Sequence, residues 1–321
     1  MSEVTTSAPK RGSVSARFKI PLIALFAVLT VSAVFVNKGA LQDTPWDAPI
    51  YLNRGKEVAQ TDYLQGMKLH AAETAAHLPK YKVGEDTAYW PFMRLGNIMA
   101  LGAVISATGA TLASIQAAFW LYSILLAAAT LFGVLLSLRI IDTLDPSIGK
   151  NAVVKGTAIS AALYVASDAY LHLSGDLVAE IPALFLLTGG ALALVAAGAT
   201  RRASLAILSG LLGFALYVVK IEGVWAYISF VLLYGAALAI YARGQLWWPA
   251  FMISGVSALS LYSIYAWWLW PLPDPRLVPI FAAAFHTGVQ NPVAPIKLWI
   301  VAGGMLWMGL LLALRYRARS P

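Results

Sequence analysis

Asp43-Thr44-Pro45-Trp46-Asp47-Ala48-Pro49-Ile50-Tyr51 lies near the head of a polar stretch that runs from Asn37 to Asn97, and Tyr89-Trp90-Pro91-Phe92-Met93-Arg94-Leu95-Gly96-Asn97 closes it. The stretch divides one apolar run, residues 18–36, from all the others. Those lie at roughly 92–107, 112–138, 152–172, 177–198, 204–219, 224–242, 248–270 and 298–314. Apolar runs of about 20 residues are the length at which a helix crosses a hydrocarbon core of about 30 Å. A membrane β-barrel would instead show segments of about 10 residues that alternate in and out, and that alternation is absent from the sequence. The expected fold class is an all-α polytopic membrane protein with a helical first outer loop.

Composition agrees. Of 321 residues, 60% are hydrophobic and 12% charged, with a mean hydropathy of +0.72, where a soluble domain carries about 25% charged residues. There are no cysteines, which excludes a disulfide framework and a thiolate metal site. The run at 18–36 is too long for a signal-peptide core and has no small-residue cleavage site after it, so it reads as a retained anchor. Residues 1–17, basic and rich in Ser and Thr, read as a disordered cytoplasmic tail. Residues 315–321 read as a second basic tail, leaving 18–314 as one transmembrane domain.

The net charge of +8 suggests nucleic acid until its distribution is followed. Lys and Arg gather on the cytoplasmic side of short loops. If 92–107 lies along the membrane instead of through it, the tails and the segments 139–155, 199–204 and 243–247 are cytoplasmic and carry +10. The loop 38–97 is then neutral and the remaining outer charges sum to −2. If 92–107 crossed, Arg201, Arg202, Arg243 and the C-terminal arginines would fall outside. The sequence therefore predicts about eight spans, both termini cytoplasmic, and an interfacial or re-entrant helix near 92–107, where Arg94 and Asn97 share a face. Within the loop, Pro49 near the first position of a helix and Asp47 or Trp46 at its N-terminus predict a helix to about Gln60. A second is expected near Tyr63–His77.

Ionisable groups in membrane spans mark cavities or functional sites more often than not. Asp168, His172, Asp176, Glu180, Lys220 and Glu222 all fall near the outer ends of their runs, as do Asp43 and Asp47 just after the first. One reading makes them interfacial residues wetted by headgroups; the other joins them in one polar cavity under the outer loop. Asp47 has a plain role as a helix N-cap and a sharper one as a general base. Lys220 either pairs with Glu222 or another local acid, or meets a lipid phosphate as a compact point charge. The tryptophans at 247, 248, 267, 268 and 270 read as an aromatic belt. No phosphate-binding glycine loop, hydrolase triad order or His-x-x-x-His pattern is present.

The order of these features resembles the GT-C glycosyltransferases, polytopic enzymes that use lipid-phosphate-linked sugars, and within them the ArnT-like and protein O-mannosyltransferase-like branch. The matching features are the Asp47-x-x-x-Tyr51 arrangement after the first span, the Pro91–Ala107 juxtamembrane helix, Asp176, Glu180 and Pro182 opening a later span, and Gly210, Gly213 and Lys220 followed by Glu222-Gly223. An aromatic span ending at Trp267–Pro271 completes the set. The resemblance covers about 18–300. This chain has one juxtamembrane proline where the family often has two. It stops at Pro321 where the family usually continues with several more spans, so the likeness is to a C-terminally short member.

The resemblance implies an inverting transfer at the outer face of a bacterial inner membrane. Asp47 would be the base, Glu180 or Asp176 a second polar member, and a polyprenyl-phosphate lipid the donor. Lys220, Arg94, Arg54 and Tyr51 would hold the donor phosphate or lipid. Some branches use a divalent cation and others do not. The alternative it leaves is a catalytically silent subunit that scaffolds a partner membrane protein.

Overall fold

The computed structural model describes residues 47–61, 94–144, 177–242 and 246–269, with Val28 and Gly244 besides. The expected spans at 152–172 and 298–314, the second loop helix at 63–77 and the residues Asp168, His172 and Asp176 lie outside the described residues, as does the first span apart from Val28. The described residues form seven helices and no strand: α1 (Asp47–Gln60), α2 (Leu95–Thr108), α3 (Leu112–Leu144), α4 (Glu180–Thr200), α5 (Ala203–Val219), α6 (Ile221–Tyr241) and α7 (Trp248–Leu269).

Helix α1 starts at Asp47 and ends at Gln60, as Pro49 predicts. The amide that proline lacks falls in the first turn, where no intrahelical acceptor exists. It packs along α2 through small residues. A Cβ on Gly55 would stand 3.0 Å from the Leu101 Cβ, and one on Gly102 only 2.8 Å from Val58 Cγ1. Gly55 thus faces 101–102, and Tyr51, one turn earlier, lies near Tyr122, which bonds Asn97, so the two helices run parallel and begin at the same end. Helix α2 buries Leu95, Ile98, Leu101, Gly102 and Ile105, spacings of three and four that make one helical face.

Helix α4 is the centre. In its apolar stretch 61% of residues are buried inside the protein, against 22% in α3 and 17% in α6. Its sequence explains the position: Gly189, Gly190, Ala191, Ala193 and Ala197 are all buried, and small residues let neighbouring backbones approach where lipid supplies no hydrophobic drive between helices. It packs against α3, α5, α6 and α7. Helix α4 turns into α5 over Arg201 and Arg202 alone. Arg201 takes the left-handed conformation at φ 54° and ψ 36° as the C-cap of α4.

A buried polar knot ties four helices. Ser209 Oγ donates to the Gly190 carbonyl at 2.9 Å and also meets the Tyr227 hydroxyl, and Ser254 Oγ donates to Ser209 Oγ at 3.3 Å.

Three helical segments are long and apolar enough to cross a membrane: Leu112–Ile141, Glu180–Thr200 and Gly223–Tyr241. The last of these and its neighbour α7 expose large apolar side chains, among them Trp225 and Leu232 on α6 and Met252, Val256 and Leu259 on α7. Such contiguous apolar faces are unfavourable against water and natural against lipid. The described residues are all helical, with three candidate membrane-spanning helices.

Candidate functional site

Helices α1, α2, α4 and α6 begin, and α5 ends, at one end of the bundle. Three contacts fix this. Tyr51 of α1, Leu95 of α2 and Ile181 of α4 share one core cluster with Tyr122 of α3. A Cβ on Gly96 would lie 2.8 Å from Val219 Cγ2 and 3.1 Å from the Val219 backbone nitrogen, so the first turn of α2 abuts the last of α5. Lys220 Nζ donates to Glu180 Oε1, joining the end of α5 to the start of α4.

Lys220 is the break itself. Its backbone is extended, at φ −156° and ψ 105°, between two helices, while its N–H still donates to the Leu216 carbonyl at 2.8 Å. A charged residue inside an otherwise apolar run marks the turn in the sequence, and the structure gives its partner. A partner among the described side chains is Glu180, forty positions away and one of the other local acids that the sequence allows. The Lys220 side chain is 18% exposed and that of Glu180 45%. Arg94, the N-cap of α2, lies close enough for its charge to act on the Glu180 carboxylate. One cation therefore bonds the carboxylate and a second acts on it through space. Each helix that begins here also turns the positive end of its dipole to the same place. The arrangement favours an anionic group.

The other residues read from the sequence fall as follows. Asp47 is the first residue of α1, one turn from Tyr51, and its side chain lies outside the described atoms. Tyr51 is fully buried in the cluster beneath the charges, near enough to Tyr122 for the two hydroxyls to interact electrostatically. Arg54 donates to Glu57 Oε2 at 2.9 Å along its own helix. Asp176 lies outside the described residues. The structure thus joins Arg94, Glu180 and Lys220, with Tyr51 below them. Among the described residues no three His, Asp or Glu side chains come together to hold a metal ion.

Sequence reasoning missed Tyr122, whose hydroxyl donates to Asn97 Oδ1, and the serine–tyrosine knot between α4, α5, α6 and α7. Single polar residues in apolar runs are common. The signal was that three of them, Ser209, Tyr227 and Ser254, fall well inside three successive runs.

Comparison with known proteins finds no match. No family model, no curated protein and no solved structure matches the chain. Its function has to be argued from its own residues.

Proposed function

We propose that this chain is a membrane glycosyltransferase that moves a sugar from a polyprenyl-phosphate donor to an acceptor at the outer face of the membrane. The observation that carries the reading is the meeting of Arg94, Lys220 and Glu180 where four helices begin, with the helix that carries Asp47 and Tyr51 packed in the same cluster. In this reading Arg94 and Lys220 hold the lipid phosphate. Asp47 takes the proton from the acceptor hydroxyl as its oxygen attacks the anomeric carbon. The bond from that carbon to the phosphate oxygen breaks, and the polyprenyl phosphate leaves with its charge stabilised by the two cations. Glu180 or Asp176 is the second polar member of the site. The GT-C resemblance, the eight spans with cytoplasmic termini and the bacterial inner membrane belong to the same proposal.

One observation favours a second reading. Lys220 already has a carboxylate partner, and that pair by itself ties α4 to the α5–α6 junction. The chain would then be a catalytically silent GT-C-like subunit that scaffolds a partner membrane protein.

Transfer and binding assays on the purified protein separate the two. The enzyme reading expects polyprenyl phosphate to bind, Lys220→Met to weaken that binding, and Asp47→Asn to abolish transfer while binding persists. Full transfer by Asp47→Asn removes Asp47 as the base. Undiminished lipid binding by folded Lys220→Met removes Lys220 from the site. The topology has its own test: labelling cysteines placed at Arg202 and Lys82 should find them on opposite sides of the membrane.

A further inference from the structure

Beside the charged cluster lies a polar group that the fold leaves unused. Asn97 is completely buried. Tyr122 donates its hydroxyl hydrogen to Asn97 Oδ1, while Asn97 Nδ2 has no hydrogen-bond partner. Buried side-chain nitrogens almost always find an acceptor, and leaving one unmade is unfavourable by the whole desolvation penalty of the group. A side chain that only filled space here would be better as leucine.

We infer that Asn97 is the specificity-determining residue of this site, receiving a hydroxyl of the sugar that the lipid phosphate carries. This rests on the phosphate-anchoring reading of Arg94 and Lys220. Asn97 lies three residues after Arg94 on α2 and its N–H donates to the Arg94 carbonyl at 3.0 Å, which places it about 4.5 Å further along the axis. It is thus within one helical turn of Arg94, in reach of a group carried by a phosphate held there.

The surroundings decide between a hydroxyl and a phosphate oxygen. Tyr122 and Tyr51 are neutral, and Leu95, Ile98 and Ile181 of the same cluster are apolar. A phosphate oxygen beside these groups would give up water for neutral and apolar neighbours, a large penalty. A neutral hydroxyl meets no such penalty. It is also the one partner that fits the amide whichever way round it sits. If Tyr122 holds the oxygen, the free nitrogen donates to the hydroxyl; if the amide is turned, the free oxygen accepts from it. Asn97 is enclosed, so a ligand reaches it only by displacing a neighbouring side chain.

The test compares the affinity of the full-length protein for bare polyprenyl phosphate with that for the same lipid carrying one sugar, over a small set of hexoses and pentoses in vesicles. The wild-type protein is expected to prefer at least one glycosylated lipid by about tenfold or more, the scale of one buried neutral hydrogen bond whose loss leaves its partner unpaired. Asn97→Ala removes both the oxygen and the nitrogen of the amide. Asn97→Leu with Tyr122→Phe removes both buried polar groups together and should melt no lower than the wild type. In both variants the preference for the glycosylated lipid should collapse to within about twofold, while binding of the bare lipid phosphate stays as it was. A purely structural Asn97 gives the reverse: a lower melting temperature for the double variant and an unchanged preference, which overturns the inference. Equal wild-type affinity for bare and glycosylated lipids overturns it too, and leaves the phosphate anchor standing. A wild-type protein that binds neither overturns both.

Discussion

Lys220 and Glu180 form an ion pair between the break that ends α5 and the first residue of α4, and the two partners are unequally wet. The lysine side chain is 18% exposed and the glutamate 45%, and Arg94 also bears on the carboxylate. Removing one partner is therefore not equivalent to removing the other. In Lys220→Met the half-exposed Glu180 keeps water and Arg94, so the loss should be at most about 1 kcal/mol. In Glu180→Met a mostly enclosed lysine loses this carboxylate with Arg94 at the same end, and the loss should be about 2 kcal/mol or more. The Lys220→Met, Glu180→Met double variant should recover most of the larger loss. Thermal unfolding in detergent reads all three. A lysine variant less stable than the glutamate variant would mean that the burial asymmetry does not set the energetics.

Gly210 on α5 sits directly against the backbone of α7. A Cβ there would collide with the Ser254 carbonyl oxygen and come within 2.8 Å of Ser257 Cβ. Backbone atoms of a packed helix do not give way cheaply, so Gly210→Ala should cost roughly 1–3 kcal/mol. Gly255, one residue after Ser254 on α7, has nothing within 4 Å of an added Cβ. Gly255→Ala should be neutral or stabilise by up to about 1 kcal/mol through helix propensity. Two glycine-to-alanine changes at one helix pair are thus expected to differ in sign, and a shared sign in melting temperature would refute the close approach.

What the sequence revealed was mostly local. Asp47 and Pro49 marked the start of α1, because a proline is cheap only in the first turn. Lys220 marked the break between α5 and α6, because a charge inside an apolar run has to reach an end or a partner. What it concealed was long range. Spacing rules name neighbours three or four residues away, so Glu222 was the visible partner for Lys220, whereas Glu180 meets it only because α4 and α5 fold back on each other at Arg201. Asn97 was visible on a shared face with Arg94, but Tyr122 was not, for nothing in one apolar run states which side of it faces another. The pairing of α1 with α2 has the same origin: Gly55 and Gly102 read as ordinary residues until they meet.

Arg201 closes α4 in the left-handed region, at φ 54°, a conformation that costs a side-chain-bearing residue roughly 1–2 kcal/mol. Glycine takes it freely but loses more entropy on folding. Arg201→Gly should therefore raise stability by up to about 1 kcal/mol. Arg202, with φ −98° and ψ 115°, is ordinary extended backbone. Arg202→Gly should gain nothing and lose slightly through the more flexible unfolded chain. Equal shifts in the two variants would show that charge, and not backbone conformation, governs this turn.

The knot at Ser209 allows a ranking. Ser209 is its hub, meeting the Gly190 carbonyl, the Tyr227 hydroxyl and Ser254 Oγ. Tyr227 has one close partner, Ser209 Oγ, with the Ser209 carbonyl and Ser254 Oγ both more distant at 3.4 Å. Deleting the tyrosine hydroxyl leaves Ser209 still bonded to Gly190, so Tyr227→Phe should cost about 0.6 kcal/mol, the usual scale for a hydrogen bond between membrane helices. Deleting the hub strands a buried tyrosine hydroxyl on two long contacts and loses the bond that holds α5 to α4. Ser209→Ala should therefore cost more, about 1–2 kcal/mol. Adding Tyr227→Phe to Ser209→Ala removes the stranded hydroxyl and should restore part of the loss, so the double variant should be more stable than the sum of the two single costs implies. Unfolding measurements that rank Tyr227→Phe as costly as Ser209→Ala would place the hub at the tyrosine. Strict additivity would mean that the three hydroxyls do not act as one network.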